Sequence, residues 1–546
     1  MAGAATTVVV VAAGLWLLSR ALNVLLSPEQ LTDFANYALD REYDGRHRVR
    51  LDDVDVDLLA RSAVASGVRV ELAPDAASGP GPEAVIVVDS LVVRHVSPLS
   101  LILGREFRAD VVRVVRPRVD LRWPADTAAP DTSSAPDSSA PTHRRDARSL
   151  MEEVAGRFPS AGVNRFDLVD GSVLLTNAEG FALGAGQINL AMTELHLDSS
   201  EIDRADGALF SDRLEFSARE IHHTPARGGY EMRAAQLALS SAESTFTVTG
   251  IDIDTAAYDA IDGVQTRSDR FRLDLETLTL SGVDYRGVFA GPRIVVRSVR
   301  VDSAALEVYS DKRLPGGPPT RATLPHELIR ALPVPLRIDT VSLERTRIEY
   351  AERVPGSTRP GRLVFGDVWV TAVSVTNDST HMRGDSSMII NANGILAGES
   401  RLTAVLYLDL MAPAFDLRYR GHVGAFDVPA INTMLVDLQG VRVSRGRVDS
   451  LWFDAAIRDG IARGELTAVY RDLSVEMVDR ASRDPDLWDE IESLVANTFV
   501  IRGQNAVGQE GGLRVGAIEY SIKPQDTFFG RIWFGLRGGL LSLLRG

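Results

Sequence analysis

Apolar and polar residues alternate along most of the chain from His47 onward. Phe271–Leu275, Leu402–Leu410 and Phe415–Tyr419 are three of the segments that place an apolar side chain at every second position. This period of two is typical of antiparallel strands that bury one face. Gly, Asn and Asp interrupt the alternation, and Asp170-Gly171 is predicted to be one such turn. The pattern predicts a mainly β protein, an elongated and repetitive antiparallel sheet with a few short helices.

One face of such a sheet needs a cover, and the chain has few helices to supply it. Two sheets can face each other as serial sandwiches, or one sheet can curl into a taco-like groove lined with apolar side chains. The alternation is compatible with both arrangements. It does not identify the groove-lining residues, because a register error of one residue exchanges the two faces.

The first 26 residues are predicted to form a transmembrane anchor. Residues 4–19 carry no charge, and after Arg20 the apolar run resumes at 21–26. A helix over residues 4–26 would be about 34 Å long, which is enough to cross a bilayer. The alternative is a cleaved signal peptide, against which stands the lack of basic residues before the apolar run. The anchor is carried by Val8, Val9, Val10, Val11, Leu15, Trp16, Leu17 and Leu18.

Two interruptions divide the alternating region. Residues 124–142 are rich in Pro, Ala, Ser and Asp, which predicts a disordered insertion. Residues 314–319 are rich in Pro and Gly and precede a short helical segment at Leu324–Leu332. The predicted organisation is a transmembrane anchor at 1–26, an N-terminal helix and β-rich segment at 27–122, the insertion at 123–149, a middle β-rich repeat region at 150–322, a C-terminal β region at 323–523 and an amphipathic helix at 524–546.

The amino-acid composition excludes several kinds of chemical site and argues against one class of partner. The 546 residues include no cysteine, which excludes disulfides, thiolate metal sites and a cysteine nucleophile. The 74 acidic and 59 basic residues give a net charge of −15, which argues against binding to nucleic acid. A hydrophobic content of 45% is too high for a mainly disordered chain.

No catalytic or metal-binding motif is complete in the sequence. His326–Arg330 begins like the zinc motif HExxH, but Arg330 stands where the second histidine is needed. His222 and His223 are adjacent, so on a strand they point to opposite faces and do not chelate one metal together. A carboxylate pair of the glycosidase type depends on a geometry that sequence does not give. We expect no enzymatic activity, no cofactor and no metal site.

The last residues are predicted to form an amphipathic helix. Arginines accompany its apolar residues, no acidic residue follows Asp526, and Gly530, Gly535, Gly538 and Gly539 lower its intrinsic helicity. A basic, apolar helix with Trp and Phe is typical of an interfacial membrane helix or a partner-docking helix. The alternative is a terminal helix that packs on its own sheet. The candidate membrane or partner residues are Phe528, Phe529, Ile532, Trp533, Leu536, Leu540, Leu543 and Leu544.

These features together resemble the AsmA-like proteins of diderm bacterial envelopes, the superfamily that includes TamB. Leu324–Leu328, Leu336–Asp339 and Ile348–Glu352 are similar to a passage that recurs in envelope proteins with an AsmA-like C-terminal region. The closing aromatic residues Phe528, Phe529 and Trp533 resemble the aromatic tail of the family. Further similarity to the C-terminal pattern lies at Phe426-Asp427, Ile431-Asn432, Gly446–Val448, Gly464–Leu466 and Tyr470–Leu473.

The resemblance implies a single-pass protein of the bacterial inner membrane, with a periplasmic, taco-shaped sheet whose apolar inner face holds phospholipid acyl chains. It implies a role in phospholipid movement to the outer membrane and in envelope biogenesis. An outer-membrane protein or a periplasmic partner is expected at the C-terminal helix. The rival expectation is a non-transporting envelope scaffold or outer-membrane assembly factor, in which the apolar faces are closed by packing.

Overall fold

The structure is a computed structural model that leaves the predicted anchor and residues 124–149 of the predicted insertion outside the residues it describes. The described residues are 32–33, 36, 47–57, 61–72, 83–96, 106–123, 160–198, 211–226, 229–255, 269–285, 293–313, 324–354, 359–378, 387–412, 414–439, 441–477, 503–506 and 512–544. The chain forms two compact units, Met1–Gly250 with Val283–Pro292, and Ile251–Gly282 with Arg293–Gly546.

The described residues are mainly β, with a long antiparallel sheet and few helices, as the alternation predicts. The first unit contains β1 (His47–Arg50), β2 (Asp53–Asp57), β3 (Ser62–Leu72), β4 (Glu83–Arg94), β5 (Glu106–Val115), β6 (Arg118–Trp123), β7 (Ser160–Asn177), β8 (Ala182–Asp198), β9 (Arg213–Thr224) and β10 (Tyr230–Ser240). The chain passes into the second unit through β11 (Thr245–Thr255).

The second unit combines strands with a few short helices. Its strands are β12 (Arg270–Ser281), β13 (Ile294–Asp311), β14 (Leu336–Arg353), β15 (Gly361–Thr376), β16 (Ser387–Leu396), β17 (Ser400–Asp409), β18 (Leu417–Val423), β19 (Phe426–Asp427), β20 (Val441–Arg458), β21 (Ile461–Met477) and β22 (Gly516–Ser521). Its helices are α1 (Pro325–Ala331), a 3-10 turn (Val428–Ile431), α2 (Asn432–Gln439) and α3 (Phe528–Leu544).

Parallel pairing occurs in each unit beside the antiparallel pairs. Strands β5 and β6 both pair parallel with β7, and β13 pairs parallel with β14. The expectation of purely antiparallel pairing is wrong at these strands. Parallel neighbours need a long crossover connection, and residues 124–159 and 312–335 connect them. The two compositional interruptions of the sequence therefore lie in the crossover connections.

The turn predicted at Asp170-Gly171 is wrong, because β7 runs through both residues without a break. Asp170 instead has a φ of 56°, and the register of β7 with β8 shifts between Leu168 and Gly171. An extra residue of this kind is a β-bulge, which bends the strand and increases its twist. Positive φ values also occur inside other strands of both units, at Gln187, Glu220, Ser303, Arg345 and Asp367.

Each unit has a hydrophobic core of its own. Val70 and Val88 are among the most buried residues of the first core, which covers one face of β3, β4 and β5. Leu408, Leu417 and Ile457 are fully buried in the second core, to which residues of all three α-helices contribute.

Two asparagines on helices satisfy the backbone of a following strand in the same way. The Asn36 side chain accepts a hydrogen bond from the Val49 N–H at 2.7 Å and donates one to the Val49 carbonyl at 2.9 Å. Asn432 does the same with Val443, at 2.9 and 2.8 Å. A carboxamide offers one donor and one acceptor side, so it replaces a neighbouring strand at these positions.

Candidate functional site

A continuous row of apolar side chains crosses the strands of the second unit. Directly paired residues of neighbouring strands share a face, so the pairing register defines the row. The C-terminal apolar row consists, from β12 to β22, of Leu280, Val299, Val341, Ala372, Ile390, Leu406, Tyr419, Ala455, Gly464 and Ile518. No charged side chain interrupts it.

The residues one position away along each strand form a polar row on the opposite face. They include Ser342, Asn391, Arg420, Asp454 and Glu465. The charges on this face are partly paired across the strands, as in the contact of 3.3 Å between Arg418 and Asp454. The sheet of the second unit is thus amphipathic, with one apolar face and one face suited to water.

Burial changes along the C-terminal apolar row. Leu280, Val299 and Val341 are half-buried, whereas Leu406, Tyr419, Ala455 and Ile518 are buried. The row is therefore closed at β17–β22 and retains accessible apolar surface at β12–β14.

Helix α3 closes the buried end through glycines. A Cβ atom at Gly539 would lie 2.8 Å from Ile518 Cγ1, and one at Gly535 would lie 2.8 Å from the Tyr419 hydroxyl. On the strand side, a Cβ at Gly516 would lie 2.1 Å from the Gly539 carbonyl oxygen. Glycines on both elements let the helix lie directly on β21 and β22.

The Tyr419 hydroxyl under α3 has no hydrogen-bond partner in the described part of the chain. Its side chain is 1% exposed, and burial raises the pKa of Tyr419 to about 12. The neutral phenol packs 6.1 Å from the Phe453 ring, centroid to centroid. The ring of Tyr419 fills space in the apolar row, and its hydroxyl group is left without a hydrogen bond.

The first unit carries a comparable row on its own strands. The N-terminal apolar row consists, from β3 to β10, of Ala65, Leu91, Val114, Leu168, Leu190, Phe216 and Leu239. The first three residues are buried and the remaining four are half-buried. This row is therefore closed at β3–β5 and more accessible at β7–β10.

A buried carboxylate lies on the face opposite the N-terminal apolar row. Asp167 in β7 accepts hydrogen bonds from Arg165 at 2.9 Å and from Arg113 at 2.9 Å. Burial alone would raise its pKa, but the two guanidinium groups outweigh burial and lower the pKa of Asp167. The group is ionised and fully paired, which is the arrangement of a structural ion pair.

The structure divides the residues predicted for the C-terminal helix between two sides of α3. Leu543 is buried on the sheet, together with Gly535, Gly539 and Arg531. Phe529 and Trp533 are 76% and 43% exposed. The remaining members of the predicted set, Phe528, Ile532, Leu536, Leu540 and Leu544, are half-buried against the second core. Packing on the sheet thus accounts for one side of the helix and leaves two aromatic residues outside it.

The histidines of the sequence motifs have structural surroundings. His326 lies at the start of α1, 1% exposed, with its ring centroid 5.4 Å from that of Phe415. His222 lies against Gly184, and His223 packs on Phe181 with centroids 5.5 Å apart. Among the residues that the structure describes, no group of His, Asp and Glu is arranged to hold a metal ion.

No protein-family model and no curated protein sequence matches the chain. Among the residues that the structure describes, no helix has the length and apolarity to cross a bilayer. The residues predicted as the anchor, from Val8 to Leu18, lie outside the described residues.

Sequence reasoning missed the features that organise the two apolar rows. The rows depend on strand register and on bulges, neither of which alternation reveals. From the sequence, the glycines of α3 were expected only to lower its helicity. In the structure, Gly535 and Gly539 let the helix contact the sheet closely. The spacing of four between these glycines places them on one helical face, and this was the available signal.

Proposed function

We propose that the chain is a membrane-anchored, periplasmic lipid-binding and lipid-transfer protein of the AsmA-like type. In this proposal residues 1–26 hold it in the inner membrane, and acyl chains of phospholipids lie against the apolar rows. Its role is phospholipid movement to the outer membrane and envelope biogenesis.

The observation that carries the proposal is the accessible part of the apolar rows. Val299 and Val341 belong to a row without charged side chains, and they are half-buried although hydrophobic side chains gain free energy from full burial. An acyl chain laid on this face gains about 0.8 kcal/mol per buried CH₂ group. Because successive strands present similar side chains, a bound chain meets similar burial at each strand and slides over small barriers.

The scaffold alternative is supported by the closed ends of the same rows. Leu406, Tyr419 and Ile518 are covered by protein, as a face closed by packing would be. In a scaffold the half-buried remainder would contact protein. The two functions therefore differ in what touches β12–β14.

Site-specific photocrosslinking in the intact protein separates the two functions. A photoreactive benzoyl-phenylalanine at Val341 lies in the apolar row, and the same group at Ser342 lies on the polar face and serves as the matched control. The full chain is expressed in a diderm bacterium, irradiated, and analysed by mass spectrometry for phospholipid adducts. Leu190 and Asn189 form an equivalent pair in the first unit.

Phospholipid adducts at Val341 and Leu190, with none at the two control positions, are the expected result. Protein adducts at the apolar positions without lipid would favour the scaffold. Equal lipid labelling at both faces would contradict lipid binding by the apolar rows, because detergent-like association is not face-specific.

The exposed aromatic residues of α3 are proposed to contact a membrane surface or a protein partner. Phe529 and Trp533 lie four residues apart on the helix, and α3 contains arginines but no acidic residue. Deletion of the helix would uncover Ile518 and damage the core. Replacing Phe529 and Trp533 with serine leaves the buried face intact. Because residues 1–26 would keep the chain in the membrane fraction in either case, the readout is photocrosslinking from α3, and lipid or protein adducts unchanged in this double variant would contradict the proposed contact.

A further inference from the structure

A second row of side chains on the polar face of the second unit contains two tryptophans, one on β15 and one on β20. Pairing across β15, β16, β17, β18, β20 and β21 places Trp369, Asn393, Thr403, His422, Trp452 and Thr467 in register. No Asp, Glu, Lys or Arg belongs to this row. Four inter-strand steps of about 4.8 Å separate the tryptophans by about 19 Å.

Both indole rings are held by neighbours on the sheet. The Trp452 side chain is 45% exposed, and its ring centroid lies 5.2 Å from that of His422, which pairs with it across the strands. The Trp369 indole N–H donates a hydrogen bond to Asp367 at 2.8 Å. The rings are therefore fixed platforms, and an exposed tryptophan on a polar face loses hydrophobic free energy unless something covers it.

The residues between the tryptophans offer unused hydrogen-bonding groups. The side-chain amides of Asn391 and Asn393 make no hydrogen bond within the described part of the chain. With Arg420, Glu465 and Trp452 they line a shallow cleft of about 600 Å³.

The combination matches the chemistry of a sugar chain. A pyranose ring has an apolar face of C–H groups that stacks on an indole, and hydroxyl groups that both donate and accept hydrogen bonds. A carboxamide likewise donates and accepts, so Asn391 and Asn393 are suited to hydroxyl groups. The cleft has two carboxylates, Asp454 and Glu465, and one guanidinium, Arg420, so its net negative charge disfavours a nucleic acid or a phosphorylated ligand.

We propose that this row is a binding site for a neutral oligosaccharide, with sugar rings stacked on Trp452 and Trp369 and hydroxyl groups bound by the asparagines between them. The site lies on the face opposite the C-terminal apolar row. It does not depend on lipid binding, since no residue belongs to both.

Calorimetric titration of the full chain tests this proposal. The protein is kept in a detergent without a sugar headgroup, because a maltoside would compete for the site. The probes are cellotetraose, maltotetraose and the tetramer of N-acetylglucosamine. Saturation-transfer NMR identifies the sugar protons that contact the protein.

Binding of at least one probe is expected, and Trp452→Ala and Trp369→Ala should each weaken it by about tenfold. Trp452→Phe should restore part of the affinity, because it retains an aromatic face. Trp123→Ala, in the first unit, is the matched control and should leave the affinity unchanged. Circular dichroism of each variant checks that the fold is retained.

Two results would overturn the assignment. One is the absence of binding for all three probes at millimolar concentration. The other is binding that both tryptophan variants leave intact, since the sugar would then be bound elsewhere on the chain.

Discussion

Replacement of Gly539 by alanine tests whether α3 is held by direct contact with the sheet. The added Cβ would lie 2.8 Å from Ile518 Cγ1 and 3.1 Å from Leu466 Cβ. The Leu466 atom is attached to the strand backbone, so the helix or the strand must shift. At the adjacent Gly538 the nearest atom to an added Cβ is the Glu519 carbonyl oxygen at 3.4 Å, which is an ordinary contact.

Alanine should stabilise the protein at Gly538 and should not stabilise it at Gly539. Alanine in place of glycine inside a helix gains about 0.8–1.0 kcal/mol. Overpacking of a tight contact costs about 1–3 kcal/mol. Gly538→Ala is therefore expected to raise the free energy of unfolding by up to about 1 kcal/mol. Gly539→Ala should range from neutral to about 2 kcal/mol destabilising.

Urea unfolding of the full chain, followed by circular dichroism, measures the difference between the two variants. Limited trypsin cleavage after Arg531 provides a local measure, because this side chain is buried and donates a hydrogen bond to the Asp526 carbonyl at 3.0 Å. Cleavage should be faster in Gly539→Ala and slower in Gly538→Ala than in the original chain. If both variants stabilise the protein equally, the proposed contact between α3 and β21–β22 is wrong.

Three further predictions concern buried polar groups. Tyr419→Phe should stabilise the protein by about 1 kcal/mol by removing an unsatisfied hydroxyl. In the original protein, stability should fall between pH 10 and 12, because the folded state retains the Tyr419 proton that the unfolded chain releases. Tyr419→Phe should abolish this loss. If the variant still loses as much stability between pH 10 and 12 in urea unfolding, this explanation is wrong. Asn432→Ala leaves both backbone groups of Val443 unpaired, so it should cost about 1–3 kcal/mol in the same assay, and a cost near zero would show that water replaces the side chain. Because the pKa of Asp167 is lowered in the folded state, its ionised form stabilises the protein, and this stability is lost as the pH falls below about 4. In Asp167→Asn the free energy of unfolding should therefore depend less on pH below about pH 4. An equally steep dependence would assign acid unfolding to other groups.

Alternation predicted where strands lie but not which face each residue occupies. Phe271–Leu275 falls within β12, and the apolar run at the C-terminus falls within α3. Phe365 and Val370 show why alternation alone does not assign residues to a face. They pair with Leu396 and Ala392 of β16, which are four positions apart and lie on one face, although Phe365 and Val370 are five positions apart. The bulge at Asp367, with a φ of 45°, supplies the extra residue.

The candidate sites depend on long-range pairing, which the sequence does not encode locally. Trp369 and Trp452 are 83 positions apart in the chain and come into one row only through the successive registers of β15 to β20. The same holds for Gly516 and Gly539, whose close approach requires a helix to lie on a particular strand. Local propensity gives the type of element, whereas register gives the surface on which function depends.

The contrast between the two faces of the second unit limits what can cover the apolar row. The polar face carries Arg420, Asp454 and Glu465, which require water or a polar ligand, so that face does not pack in a hydrophobic core. The apolar row has no hydrogen-bonding group at β12–β14, so its cover must be apolar as well. Two kinds of cover meet this requirement: a helix such as α3, which pairs its backbone amides internally, and an acyl chain, which has none. The two covers differ in the adduct that each gives at Leu280, Val299 and Val341, which is why the Val341 and Ser342 crosslinks form the decisive comparison.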